Sequence, residues 1–206
     1  MLNLKSIKLY FFSIIKLAYL KFKTLYYKTN YYNKNLVNIK PTRIFYKPSV
    51  FLIAPLIDTD KEIYKIENTN LDSIWKEKNM NKLKFDSLHN FLWLTKIDRK
   101  DGGTVPQSII NSWIAKYHNY NTKSWEINIM SKRIIAWSSN LDITLSKSND
   151  IYRKNFFLSL VKQSNFLLKN TKNLPIDSSR IICLSAIILS GLVFKENYSN
   201  LKFGIR

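Results

Sequence analysis

Cysteine is nearly absent from this 206-residue chain, since Cys183 is the only one. A single cysteine cannot form a disulfide framework within one chain, and it excludes a cysteine-based metal site. Cys183 lies in an apolar run where burial disfavours the thiolate, so the sequence predicts a structural thiol rather than a nucleophile. The two histidines, His89 and His118, have no carboxylate cluster nearby, and we therefore expect no metal and no cofactor.

Glycine and proline are also scarce, with four and five residues respectively. No glycine-rich phosphate loop and no nucleophile elbow occurs in the sequence, which argues against the corresponding enzyme classes. Hydrophobic residues make up 46% of the chain and aromatic residues 14%, a composition that argues against disorder. A chain of this length can bury a substantial core as one domain.

Acidic residues are few, because 14 Asp and Glu stand against 33 Lys and Arg, for a formal charge of +19. Residues 1–50 contain ten Lys or Arg, and no acidic residue precedes Asp58. Two explanations stay open. A preference for A+T-rich codons would place lysine at ordinary solvated positions, whereas attraction to phospholipid, nucleic acid or acidic polysaccharide would explain a long segment without carboxylates.

Long hydrophobic runs are missing as well. The run that begins at Leu9 is interrupted by Lys16, and the run 181–194 has only fourteen residues, so neither suffices to cross a bilayer. A small-residue cleavage site does not follow the first run, which argues against a signal peptide. The sequence predicts a cytoplasmic or peripheral membrane location, with the first helix lying on a membrane surface as an alternative.

Helical periodicity is the strongest pattern that the sequence does contain. Residues 1–40 predict a basic N-terminal helix over 2–27 followed by a linker. Residues 41–84 predict an irregular or extended segment with a short hairpin near 43–57, where two apolar runs flank a proline. Residues 85–206 predict a helical domain.

Helix-start signals divide this C-terminal region. Asp86 or Ser87 is expected to cap a helix that runs to about Lys96. Thr104 and Gln107 have the spacing of a capping box, which predicts a helix start at Thr104. Further helices are expected to start near Asp150 and Ser178, the latter capped by Ser178 or Ser179. Consecutive amphipathic helices joined by loops favour an all-α, antiparallel helical array. One core is expected to contain Trp113, Ile114, Trp137, Leu160, Val161 and Ile187.

Tryptophans recur at characteristic places in these helices. The relevant elements are Trp75, the run LHNFLWL (88–94), Gly102-Gly103, Trp113-Ile114, Trp125 and the run RIIAW (133–137). Their order and spacing resemble the N-terminal part of the bacterial heparinase II/III family of polysaccharide lyases. The resemblance covers most of residues 70–206.

The resemblance implies part of an incomplete α/α toroid, which in that family precedes a β-sandwich domain. An acidic, uronate-containing polysaccharide binds between the two, and a tyrosine and a histidine handle the C5 proton and the departing C4 oxygen. These catalytic segments follow the part that this chain resembles, so no catalytic role can be assigned here. We expect a lyase truncated before its catalytic half, inactive alone, with a separate C-terminal lyase fragment and weakly bound acidic polysaccharide as partners.

Three residues are candidates for the substrate groove, namely His89, Trp93 and Arg133. Each also has a structural interpretation, as a core histidine, a core tryptophan and an internally paired arginine. The rival function is a basic helical binding protein for nucleic acid or an anionic membrane surface. It would be favoured if the lysines gathered on one face.

Overall fold

The computed structural model describes residues 4–37, 39–54, 56, 74–75, 80–97, 99 and 103–205, without the side chains of residues 4, 5, 52 and 53. These residues form α-helices and contain no β-strand, which confirms the all-α fold. The helices are α1 (Leu4–Lys28), α2 (Asn30–Asn35), α3 (Lys82–Asn90), α4 (Thr104–Tyr117), α5 (Ile127–Ser139), α6 (Leu141–Thr144), α7 (Asp150–Asn170), α8 (Ser178–Val193) and α9 (Tyr198–Ile205). Short 3-10 helices occupy Val50–Ile53, Leu92–Lys96, Thr171–Asn173 and Lys195–Asn197.

Helix α5 lies at the centre of the array, because α3, α7 and α8 all pack against it. Every residue from Ile129 to Ser139 is buried, the polar ones included. A buried polar group is costly unless it is hydrogen-bonded, so the polar side chains of α5 require partners from the surrounding helices. The candidate site described below arises from this requirement.

A single core connects the helices. All six residues that we expected to share it are buried within one cluster, which confirms the prediction. Helix α8 packs against both α5 and α9. Cys183 on α8 is buried as expected, and its sulfur lies 3.3 Å from Thr171 Oγ1. Burial raises the pKa of this thiol, in agreement with a structural role.

The start of α4 is at Thr104 as predicted, but the predicted capping box is wrong. The N-cap is Gly103, whose φ of 82° is left-handed, and no side chain caps the helix. A Cβ at this position would collide with the carbonyl oxygen of Ile143, so the close approach requires glycine. Gln107 donates instead to the carbonyl oxygens of Ile143, at 3.1 Å, and Ser146, at 2.6 Å.

The boundaries of α3 also differ from the prediction. Asn81, rather than Asp86 or Ser87, caps the helix by accepting a hydrogen bond from Lys84 N. The helix ends at Asn90, its C-cap Phe91 has a left-handed φ of 60°, and a 3-10 helix continues to Lys96. A left-handed phenylalanine is strained, and complete burial of its ring stabilises the conformation.

The starts of α7 and α8 agree with the sequence. Asn149 caps α7 by accepting from Tyr152 N, and the helix starts at Asp150. Helix α8 starts at Ser178, but its cap is Asp177 and not one of the two serines. The carboxylate accepts from the first free amides of the helix, where a negative charge is also favoured by the helix dipole.

Two expectations for the N-terminal third are wrong. The described part of the segment 43–57 forms no hairpin, since Val50–Ile53 is a 3-10 helix capped by Ser49. The expected linker over 28–40 contains α2, which is capped by Thr29 and whose Tyr32 enters the core. Residues 57–73 of the predicted irregular segment lie outside the described residues.

The N-terminal helix itself is present as α1, with 25 residues. None of the helices described is long and apolar enough to cross a membrane.

Candidate functional site

The three predicted groove residues lie in the interior. His89 lies in the last turn of α3, Trp93 follows in the adjacent 3-10 helix, and Arg133 occupies the middle of α5. Their exposed fractions are 2%, 1% and 0% respectively. The structure therefore brings His89 and Arg133 together, but it places none of the three side chains on an accessible groove.

Arg133 is the centre of a hydrogen-bond network. Its Nε donates to Gln163 Oε1 on α7 at 2.7 Å. One terminal nitrogen, Nη1, donates to the carbonyl oxygens of His89, at 2.9 Å, and Ser124, at 3.0 Å. The other, Nη2, also donates to Ser124 O at 3.0 Å. The guanidinium thus joins α3, the loop before α5, and α7 to the central helix.

All of these acceptors are neutral. Among the described residues no carboxylate pairs with Arg133, and the guanidinium carbon lies 4.1 Å from the ring centre of Trp113. Carbonyl dipoles and the face of an indole ring stabilise a cation in place of a counter-ion. Burial lowers the pKa of Arg133 well below its usual value, which indicates how strongly this charge is desolvated.

His89 is held in one tautomer. Trp113 Nε1 donates to its Nδ1 at 3.0 Å, so the neutral ring carries its proton on Nε2. Phe85 stacks on the imidazole at 4.0 Å between ring centres. Burial, followed by the charges of Arg133 and Lys116, lowers the pKa of His89 to about 3. A histidine in this environment is neutral at physiological pH.

This lowered pKa predicts a pH-dependent stability. The unfolded chain protonates His89 below about pH 6.5, whereas the folded chain keeps it neutral down to about pH 3. The free energy of unfolding should therefore fall as the pH decreases from 6.5 towards 3, by about 2 kcal/mol at pH 5. Urea unfolding between pH 8 and pH 5 measures the loss. His89→Gln should flatten the profile, and His118→Asn at the exposed end of α4 should not. A parental profile that is already flat would contradict the assignment.

Several of the residues that carry the family resemblance surround this centre. Trp113 and Trp137 pack edge to face with ring centres 5.5 Å apart, and Phe91 lies 5.2 Å from Trp137. The ring centres of Trp75 and His89 are 5.2 Å apart, and Trp75 donates through Nε1 to Ser112 Oγ at 2.8 Å. Aromatic residues far apart in the sequence therefore form one cluster beside His89 and Arg133, namely Trp75, Phe91, Trp113 and Trp137.

The remaining tryptophans of the pattern have local partners. Trp93 Nε1 donates to Leu88 O at 3.1 Å, and Trp125 Nε1 donates to Tyr117 O at 2.8 Å. Both rings are buried, so neither offers a face on which a sugar could stack. Their indole N–H groups instead fix the ends of neighbouring helices.

Sequence reasoning missed Ser124, Gln163 and Lys162. Gln163 is buried on α7 and also donates to Ser159 Oγ at 3.0 Å, which orients its oxygen towards Arg133. Lys162 is mostly buried, and its Nζ donates to Asn119 Oδ1 at 2.6 Å. Burial lowers the pKa of Lys162 to about 8. The polar Gln163 on the otherwise apolar face of α7 was the only signal that the sequence offered.

An open, basic cleft lies beside the N-terminal end of α7. It has a volume of about 430 Å³. Its polar lining consists of Thr42, Arg43, Lys47, Asp142, Ser146 and Arg153. Asp142 already forms an ion pair with Arg99, and Asp150 Oδ1 lies 3.6 Å from Arg153 Nη1. The three lining cations therefore exceed the carboxylates that the described residues place beside them, and the cleft is suited to an anion.

The described residues contain no group of three His, Cys, Asp or Glu side chains that could hold a metal ion. The arrangement consists of a desolvated internal network and, separately, an accessible basic cleft. Comparison of the chain with protein-family models, with curated proteins and with solved structures finds no match.

Proposed function

We propose that this chain is the N-terminal helical part of a heparinase II/III-like polysaccharide lyase, which binds acidic polysaccharide but does not cleave it alone. One observation carries the proposal. Several of the positions that carry the resemblance lie around a single centre, namely Trp75, His89, Phe91, Trp113, Arg133 and Trp137. Such convergence is expected if the pattern specifies one structural unit.

In this proposal the buried centre organises the scaffold. Arg133 fixes the relative positions of α3, α5 and α7 through acceptors that lie far apart in the sequence. His89 serves as the acceptor for Trp113, and its low pKa keeps it from acting as a cationic acid near neutral pH. The tyrosine and histidine that elimination requires would then come from outside the residues that carry the resemblance.

Polysaccharide binding is assigned to the basic cleft. Arg43 and Lys47 are exposed at its rim, and Arg153 extends from α7. A uronate carboxylate is an anion that such a cleft can accept, while neutral sugars would gain little from it. The binding should be weak, because exposed cations remain hydrated and are screened within about 8–10 Å at physiological salt.

The test is binding of a fluorescent uronate oligosaccharide to the full chain. The variant Arg43→Glu/Lys47→Glu should weaken binding by about tenfold at low salt, because it reverses two charges at the rim. The matched control is Lys123→Glu/Lys172→Glu, which makes the same charge change at exposed positions outside the cleft lining. It should weaken binding by less than about threefold, through net charge alone.

Raising the salt from low to physiological concentration should weaken the binding of the parent chain. Equal losses in the two double variants would mean that only net charge attracts the ligand, and would remove the cleft from the proposal. Binding that survived high salt unchanged would contradict an electrostatic site.

A further inference from the structure

Helix α1 exposes large apolar side chains along almost its whole length. Thirteen of them are at least 45% exposed: Ile7, Leu9, Tyr10, Phe11, Phe12, Ile14, Ile15, Leu17, Tyr19, Leu20, Phe22, Leu25 and Tyr26. Soluble monomers rarely expose a contiguous apolar patch of more than a few hundred Å², and larger patches mark an interaction site. The helix therefore has the surface of an element that binds a partner.

The contacts of α1 with the core are concentrated at its C-terminal end. Tyr27 OH donates to Asn170 Oδ1 at 2.6 Å, and its ring packs against Phe166 and Tyr120. Residues 6–22 are all exposed. Most of the helix thus contributes nothing to the core, and its apolar surface is free to serve another purpose.

Part of the apolar surface of α1 is a continuous face, here named the apolar stripe. It consists of Ile7, Phe11, Ile14, Ile15, Ala18, Phe22 and Leu25. Spacings of three and four residues place these side chains within an arc of about 100° on a helix. No lysine falls within this arc. Lys8 borders one edge, while Lys21 and Lys28 border the other.

The charge on α1 has one sign. The helix contains lysines and no acidic residue, and no acidic residue occurs before Asp58. Lysines on both edges of an apolar face can extend to lipid headgroups while the stripe enters the acyl region. A second copy of α1 would bring like charges together. A nucleic acid would meet the lysines but would offer no apolar phase to the aliphatic side chains.

The geometry points to an orientation in the plane of the membrane. Twenty-five residues of α-helix are long enough to cross a bilayer, but α1 carries too many lysines, and no described helix qualifies as a membrane span. A helix with an apolar face, flanking lysines and exposed tyrosines instead lies at the interface. From the exposed stripe, its lysine borders and the absence of acidic residues, we infer that α1 anchors this protein on the surface of an anionic lipid bilayer.

This inference is independent of the proposed lyase relationship, since it uses none of the residues that carry the resemblance. It is tested by co-sedimentation of the full chain with lipid vesicles. The chain should bind vesicles of phosphatidylcholine mixed with phosphatidylglycerol, and it should bind pure phosphatidylcholine at least about tenfold more weakly. Equal binding to both compositions would overturn the electrostatic part of the inference.

Two double variants separate the stripe from the rest of the helix. Phe11→Ser/Phe22→Ser removes two aromatic rings from the stripe, and should weaken vesicle binding at least about tenfold. The control Phe12→Ser/Tyr19→Ser removes two exposed rings outside the stripe, and should weaken it less than about threefold. Both variants should unfold in urea like the parent chain, because none of the four side chains is buried.

Equal losses in the two variants would overturn the inference, because the stripe would then have no special role. If the parent chain did not bind vesicles and bound duplex DNA instead, α1 would be a nucleic-acid-binding helix. A parent chain that formed dimers dissociated by the stripe variant, and that did not bind vesicles, would assign the stripe to a contact between copies. Both of these results would also reject the membrane anchor.

Discussion

Replacing Arg133 with alanine should lower the free energy of unfolding by about 3–5 kcal/mol. The substitution leaves the carbonyl oxygens of His89 and Ser124 and the amide oxygen of Gln163 without their donor, inside a region that water does not reach. It also removes the cation that packs on Trp113. The loss is a large fraction of the stability of a typical domain, and urea unfolding at neutral pH measures it.

Two further variants make this result specific. Arg133→Lys should recover only part of the loss, because a single ammonium cannot match the planar fork that reaches three acceptors. Arg43→Ala, at an exposed arginine, should change the unfolding free energy by less than about 0.5 kcal/mol. If Arg133→Ala unfolded like the parent chain, the internal role would be wrong, and Arg133 would again be a candidate ligand for substrate.

Trp137→Ala should cost about 3–5 kcal/mol as well, but for a different reason. Trp137 has no exposed surface and contacts the rings of Phe91, Trp113 and Phe156, with centres 5.2–5.5 Å away. The truncation opens a cavity between α4, α5 and α7 that these rigid aromatic rings cannot fill. Thermal or urea unfolding of the variant measures the effect.

Trp137→Phe is the matched control for this cavity. The indole Nε1 of Trp137 is buried and has no hydrogen-bond partner in the described part of the chain. Losing this group therefore costs no hydrogen bond, and phenylalanine keeps much of the aromatic volume. We expect a loss smaller than that of the alanine variant by at least about 1 kcal/mol. Similar losses for both variants would contradict the cavity explanation.

Helix positions were predictable because their signals are local. The helix starts at Thr104, Asp150 and Ser178 can be identified within a few residues, and the structure confirms them. The start of α4 was right for the wrong reason, because Gly103 approaches Ile143 and Gln107 binds the same distant segment. Contacts between residues some forty positions apart leave no mark on local spacing.

The errors in the N-terminal third have the same origin. An apolar run beside a proline is typical of a strand, yet a strand requires a partner strand, and Phe45 N bonds instead to the carbonyl oxygen of Val193 at the end of α8. The left-handed Phe91 could not be predicted either, since only its burial beside Trp93 and Trp137 offsets the strain. Both features depend on tertiary packing.

For the candidate site, the sequence predicted two of its residues but not their location. The sequence pattern selected His89 and Arg133 together, but it could not distinguish a groove from the interior. That distinction depends on Ser124 and Gln163, which provide neutral acceptors, and on Trp113, which covers the guanidinium. The basic cleft was missed because Arg43 and Arg153 are far apart in sequence and become neighbours only after folding.

The most direct test of the central claim is an eliminase assay of the isolated chain with uronate polysaccharides, followed through the ultraviolet absorbance of the unsaturated uronate product. We expect no product above the rate without protein, because His89 is buried, neutral and bonded to Trp113. Product formation by the parent chain that disappeared in a folded His89→Ala variant would contradict this, because it would make His89 part of a catalytic centre.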